Sequence, residues 1–113
     1  MVKVDYYQSQ TGEMPARDYI DGLTDSMKAE AISKIRKCLM AKETVDESKY
    51  VRKYQDYWIL AIGIGALIFR INPSNEVEIL LGVNSIQELD TPDFYAQLSK
   101  FSSPCEKPLS LGA

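Results

Sequence analysis

Three apolar runs lie close together between Lys49 and Val83, in KYVRKYQDYWILAIGIGALIFRINPSNEVEILLGV, and they limit the chain to folds built around a sheet. Tyr57 to Ile62 and Ala66 to Ile71 are β-branched, aromatic and aliphatic, and Gly63-Ile64-Gly65 between them reads as a hairpin connection. Asn72-Pro73-Ser74-Asn75 combines a fixed proline φ with residues that tolerate turn geometry, so Glu76 to Val83 is expected to return as a third strand. Upstream, Lys49 to Tyr54 alternates, which would place Arg52 between Tyr50 and Tyr54 on one face. The central runs are apolar at every position, so the middle of the sheet should be covered on both sides.

The cover has to come from the flanking segments. Val2 to Tyr7 alternates and reads as a half-buried strand, followed by a polar turn over Gln8 to Glu13. Pro15 suits the first turn of a short helix to Leu23, where its missing N–H costs nothing. Thr24 or Asp25 can cap a second helix running to about Lys42, with Met27, Ala31, Ile32, Ile35, Cys38 and Leu39 in one stripe. Glu43 to Ser48 is a polar loop, and Asn84 to Asp90 is irregular and acidic. Thr91-Pro92-Asp93 supplies a capping hydroxyl, a first-turn proline and a carboxylate, so a last helix is expected over Phe94 to about Phe101. Residues 102–113, with two prolines and no periodicity, are expected to form a flexible tail behind a single domain of residues 1–101. The fold class is therefore α+β: an N-terminal strand, two helices, three or four antiparallel strands and a C-terminal helix.

Composition narrows the chemistry. No apolar run reaches the ~18 residues of a membrane span, and the first residues lack the apolar core of a signal peptide, so a cytoplasmic location is expected. That compartment argues against a Cys38–Cys105 disulfide. The chain has no histidine, which removes the commonest metal ligand and neutral-pH base, and no metal or cofactor is expected. The net charge of −3 is unevenly spread: Lys49, Arg52, Lys53 and Arg70 face only Asp56 within residues 49–71, whereas both flanks are acidic. A polyanion would therefore meet the sheet, although a few cations on a solvated edge strand also guard against aggregation.

At this point the residues resemble a family. YQSQTGEMPARDYIDGLTDSMKAEAISKIRKCL is similar to the opening of the RelE/HigB-type toxins, particularly their phage-derived branch. KYVRKYQDYWILAIGIGALIFRI resembles the central strands of that family, and EVEILLGVNSIQELDTPDFYAQL its last strand, Thr-Pro loop and final helix. The likeness covers residues 2 to about 100 and rests on layout and on Pro15, Leu23, Trp58, Gly82 and Thr91-Pro92. It implies a RelE-like fold and a toxin of a toxin–antitoxin pair, a metal-independent endoribonuclease that cleaves mRNA, often on the ribosome, and is held by an antitoxin. The active-site pattern is degenerate. Ile59-Leu60-Ala61 stands where the branch carries Glu-Leu-Arg, Ala66-Leu67 where it carries Tyr-Arg, and Leu81-Gly82 where it carries His-Gly.

RNA cleavage needs a proton acceptor for the 2′-hydroxyl, cationic donors for the phosphate and an acid for the leaving oxygen. The polar residues left for this are Arg52, Lys53 and Arg70 as phosphate contacts, with Tyr54 or Tyr57 as proton donor or base stack. Each also has a plainer role: Arg70 can pair with Glu76 or Glu78 across the hairpin, the tyrosines suit strands, and Trp58 suits a core. A second reading keeps the fold without the enzyme, as a module that binds an antitoxin or a partner copy of itself through the apolar sheet face. A third makes the likeness architectural only, in a small-ligand or regulatory domain.

Overall fold

The computed structural model describes residues 2–102, so the expected tail lies, beyond Ser102, outside the described residues. Strand β1 (Val4–Tyr6) is followed by helix α1 (Pro15–Asp21), helix α2 (Asp25–Lys34) and a π-helical segment (Ile35–Met40). Strands β2 (Val51–Tyr54), β3 (Tyr57–Ile62), β4 (Gly65–Ile71) and β5 (Val77–Val83) come next, then a 3-10 turn (Ile86–Asp90) and helix α3 (Pro92–Ser102). The fold is α+β, as the sequence implied.

Five strands form one mixed sheet in the order β1-β5-β4-β3-β2. β2 to β5 are antiparallel neighbours, while β1 joins the far edge parallel to β5, with Val4 opposite Val77. Gly63-Ile64 forms the two-residue β3–β4 turn, with Ile62 opposite Gly65, and Gly63 supplies the positive φ of 59° at its first position. In the β4–β5 turn the Asn72 side-chain carbonyl accepts from the backbone N–H groups of Ser74 and Glu76, and Asn75 takes a φ of 63°.

Both sheet faces are covered, because the sequence supplies a helical layer on each side. One core joins Ala16 and Ile20 of α1, Ala31 of α2, and Ile35 and Leu39 of the π segment to Leu60, Leu67, Phe69 and Ile79. The other sets Leu89 of the 3-10 turn and Phe94, Leu98 and Phe101 of α3 over Ile59, Ile68, Leu80, Leu81 and Val83. A bulge in β5 divides the strand between them. Phe69 pairs with Ile79 and Ile68 with Leu81, so Leu80 is the extra residue and both leucines turn toward α3. Beyond the bulge the alternation is reversed, and Gly82 faces the ring of Tyr19 from α1.

The helix starts follow the expected chemistry, while one helix end does not. The Thr24 hydroxyl accepts from the Met27 N–H at 3.2 Å, and the Thr91 hydroxyl from that of Phe94 at 3.3 Å. The second helix, expected as one α-helix, widens after Lys34, and the Ala41 N–H reaches the Arg36 carbonyl in an i→i+5 bond. The expected strand from Lys49 begins only at Val51, and Tyr50 packs against the α1/α2 core, away from the face of Arg52 and Tyr54.

α2 is tied to the sheet by a small polar cluster. Lys34 Nζ lies 2.9 Å from Glu30 Oε2, donates to the Ala61 carbonyl at 3.2 Å and sits 3.9 Å over the Tyr50 ring centre. The hydrogen bond from Lys34, then its charge, hold the Glu30 carboxyl below the usual range, and the Gly63 N–H at 3.2 Å adds to this. A depressed folded-state pKa contributes stability above the unfolded value and loses it as pH falls through the folded one. Glu30→Gln should therefore be less stable than wild type at neutral pH. Denaturant midpoints compared across a pH series should converge on the acid side of about 4, and a pH-independent difference would exclude this ion pair as the cause.

Candidate functional site

Strand alternation decides which candidate residues share a face. Arg52 lies opposite Ile59, Tyr54 opposite Tyr57, and Arg70 opposite Glu78. Arg52, Tyr54, Tyr57 and Arg70 therefore project from the α3 side of the sheet. Lys53 pairs with Trp58 and projects from the other side, its ammonium 5.3 Å from the Trp58 ring centre. Trp58 in turn stacks on Phe69, with centroids 6.1 Å apart and planes at 17°, so it belongs to the core layer.

Three of the five candidates hold down the cover. The Tyr54 hydroxyl donates to the Leu89 carbonyl at 2.8 Å, and the Tyr57 hydroxyl donates to that of Leu98 at 3.2 Å. Arg70 is clamped on Glu78, with contacts of 2.6 and 2.7 Å to Oε1, and its Nη1 donates to the Phe101 carbonyl. A guanidinium at the carbonyl end of α3 is favoured both by the free carbonyls and by the helix dipole. The Tyr54 ring meets Phe94 edge-on at 6.3 Å, and Tyr7 meets Phe101 at 4.8 Å and 85°. These contacts assign Tyr54, Tyr57 and Arg70 a structural role on the face where phosphate chemistry was expected. The cover expected over this apolar face is supplied by α3 and the 3-10 turn, which leaves less of it open to the protein partner of the second reading.

What stays open is the outer edge. Arg52 and Lys53 are exposed, and a cleft of about 400 Å³ runs between β2 and the 3-10 turn, bordered by Lys49, Arg52, Tyr54, Ile86 and Asp90. Lys53 borders the same edge, and its backbone N–H is held by Glu47 Oε2 at 3.0 Å. Lys49 lies with its ammonium 5.5 Å from the Tyr50 ring centre. The cleft thus presents three cations, two tyrosines and one carboxylate. Such a set suits a phosphate and a stacked base, and Asp90 is the carboxylate in the lining that could accept a proton. Neither Lys49 nor Asp90 stood among the residues the sequence pointed to as a site. The positive bias of residues 49–71 was a signal for Lys49, but nothing local brings Asp90 to β2, because the 3-10 turn packs there through tertiary contacts.

Among the described residues, no three His, Cys, Asp or Glu side chains are grouped as a metal site requires, and no helix is long and apolar enough to cross a membrane. Cys38 is a half-buried free thiol, and Cys105 lies outside the described residues. No protein-family model matches the chain, and no curated protein matches it.

Proposed function

We propose that this chain is a cytoplasmic RelE/HigB-like toxin of a toxin–antitoxin pair that acts on mRNA as a metal-independent endoribonuclease, through the cleft along β2. The observation that supports this reading is that Lys49, Arg52 and Lys53 all border one open edge beside Tyr54, Arg52 from the α3 face and Lys53 from the other, in a protein whose net charge is negative. In this reading Arg52 and Lys53 contact phosphates, the exposed edge of the cleft takes a base, and Asp90 accepts the 2′-hydroxyl proton as the 2′-oxygen bonds to phosphorus and displaces the 5′-oxygen, which takes its proton from water. Tyr54, Tyr57 and Arg70 act at one remove, by fixing α3 and the 3-10 turn that form the far wall. An antitoxin is the implied partner, and the ribosome is the place where mRNA would be presented.

A second reading has its own support. Tyr54, Tyr57 and Arg70 all bond to backbone carbonyls of the cover, which leaves no general acid among the original candidates. That favours a catalytically inactive relative that keeps the fold as a binding module.

Inducible expression in a bacterial host, with growth and mRNA ends mapped together, separates the two. Growth arrest with discrete new ends, abolished by Arg52→Ala with Lys53→Ala in a protein that still folds, is the expected result. Purified protein should bind single-stranded RNA with a salt dependence whose slope falls by about 1.4 in the double variant, roughly 0.7 for each phosphate left without its cation. Normal growth and uncut mRNA, alone and with ribosomes, would establish the inactive reading instead.

A further inference from the structure

The turn between β3 and β4 carries the most exposed large hydrophobic side chain among the described residues, Ile64 at 80%. Such positions favour Gly, Asn, Asp or Ser, and an isoleucine there gains nothing from the fold. The turn is nonetheless held on three sides. The Gly63 N–H donates to Glu30 Oε2 at 3.2 Å, the Met27 methyl would lie 2.9 Å from a Cβ on Gly63, and the Ile64 carbonyl accepts from the Ile86 N–H at 2.9 Å. Ile64 is therefore an apolar knob on a fixed backbone, with little ordering left to pay for on contact.

Next to the knob lies a hole. Ile86, bonded to Ile64 and itself 43% exposed, also lines the β2 cleft, whose other apolar walls are Ile59, Ala61 and Leu89. At about 400 Å³ that cleft has room for a branched aliphatic side chain between its rim charges. Charge is divided about Ile86 in the same way. On the cleft side Lys49, Arg52 and Lys53 stand against Asp90 in the lining and Glu47, which is bonded to the Lys53 N–H. Glu88 is outside that lining and reaches the Tyr19 hydroxyl, beside Gly65, closely enough to raise its pKa. Glu30, beside the knob, is already paired with Lys34, whereas among the described residues Lys49, Arg52, Glu88 and Asp90 form no ion pair.

We propose that two copies of this chain pair about a two-fold axis at Ile86, each inserting Ile64 into the cleft of the other. Knob and hole lie on opposite sides of Ile86, so one rotation makes both contacts at once and closes the assembly at two copies. The same rotation brings Glu88 of each copy toward Lys49 of the other. A foreign partner of either charge would meet a like charge on one flank, which selects a second copy as the occupant. Two isoleucines and their rim form a small interface beside the ~800 Å² per partner of a stable one, so the dissociation constant should be on the order of 100 µM. Pairing does not depend on what the cleft binds. Its consequence, a dimer in which the nuclease cleft is shut, rests on the reading of that cleft as an RNA site.

The test is sedimentation of the purified full chain between about 10 µM and about 1 mM. A monomer–dimer equilibrium without larger species is expected, with dilution shifting the amide resonances of Ile64, Ala61 and Leu89. Ile64→Asn, at an exposed turn position that suits asparagine, should weaken pairing by about tenfold or more. Lys49→Glu and Glu88→Lys should each weaken it about tenfold, and the two variants mixed should pair as well as wild type, since both cross-interface contacts then join opposite charges. A wild type that stays monomeric, an Ile64→Asn protein that pairs equally well, or growth beyond the dimer overturns the proposal. So does a monomer that sediments with anionic lipid vesicles through Ile64, since the occupant would then be a membrane surface. Single-stranded RNA should convert dimer to monomer. RNA that binds and leaves the dimer intact overturns the proposal, whereas RNA that does not bind counts against the RNA reading and leaves the dimer to be decided by Ile64→Asn.

Discussion

Gly82→Ala should destabilise the protein by about 2–4 kcal/mol, a large effect for a single added methyl group. A Cβ on Gly82 would lie well inside contact distance of Cδ2 and Cγ of Tyr19. The ring cannot simply swing aside, because its hydroxyl donates to the Val83 carbonyl at 2.9 Å, one residue further along the same strand. Moving it forfeits that bond and loosens α1 on β5. Burial and the nearby Glu88 carboxylate both raise the Tyr19 pKa, so the hydroxyl stays protonated as this bond requires. A drop in melting temperature of at least about 10 °C is expected for a chain of this size. The cause is tested in a Tyr19→Ala background, where the ring that the added methyl group would strike is gone. If Gly82→Ala costs the same there as in wild type, the steric account is wrong and a backbone effect must replace it.

The glycine shows why parts of this fold were legible in the sequence and others were not. Hairpin turns, helix caps and the short helix after Pro15 are written in residues a few positions apart, and they appear within one or two residues of where local chemistry placed them. The demand for cover on both faces was also legible, since unbroken apolar strands cannot face water. Which segment covers which face was not. The bulge at Leu80 changes the direction of every later residue in β5, and an unbroken run such as Ile79-Leu80-Leu81 gives no sign of it. The parallel partner of β1 lies more than seventy residues away in the chain, beyond any local pattern.

The same limit explains the candidate site. Arg52, Lys53, Tyr54, Tyr57 and Arg70 were grouped because polar residues are scarce in this sheet. The Arg70–Glu78 pair follows from the hairpin register and was foreseeable as one of two options. That Arg70 also binds the last turn of α3, and that the tyrosines bind Leu89 and Leu98, depends on how the 3-10 turn and α3 settle on the sheet. Cations on a strand edge keep their exposure whatever covers the face, which is why Arg52 and Lys53 remain available while the other three do not.

Leu98→Asp is expected to release α3. Leu98 is 4% exposed and stands between Phe94 and Phe101 in the stripe that meets the sheet. Truncating such a leucine alone costs about 2–5 kcal/mol, and a carboxylate left among Ile59, Ile68 and Leu81 without a partner adds a desolvation cost to that. Undocking the helix relieves both, and it breaks the bonds from Tyr57 to Leu98 and from Arg70 to Phe101 in the same step. The layer built by α1, α2 and the π segment does not depend on α3, so the loss should be local. Amide exchange should accelerate across α3 while Leu60, Leu67 and Phe69 stay protected, and an apolar dye should bind the uncovered face. Unchanged exchange in α3 would mean that the helix is held chiefly by its polar ties. In that case Arg70→Leu, which removes the clamp without placing a charge in the core, should uncover the face instead.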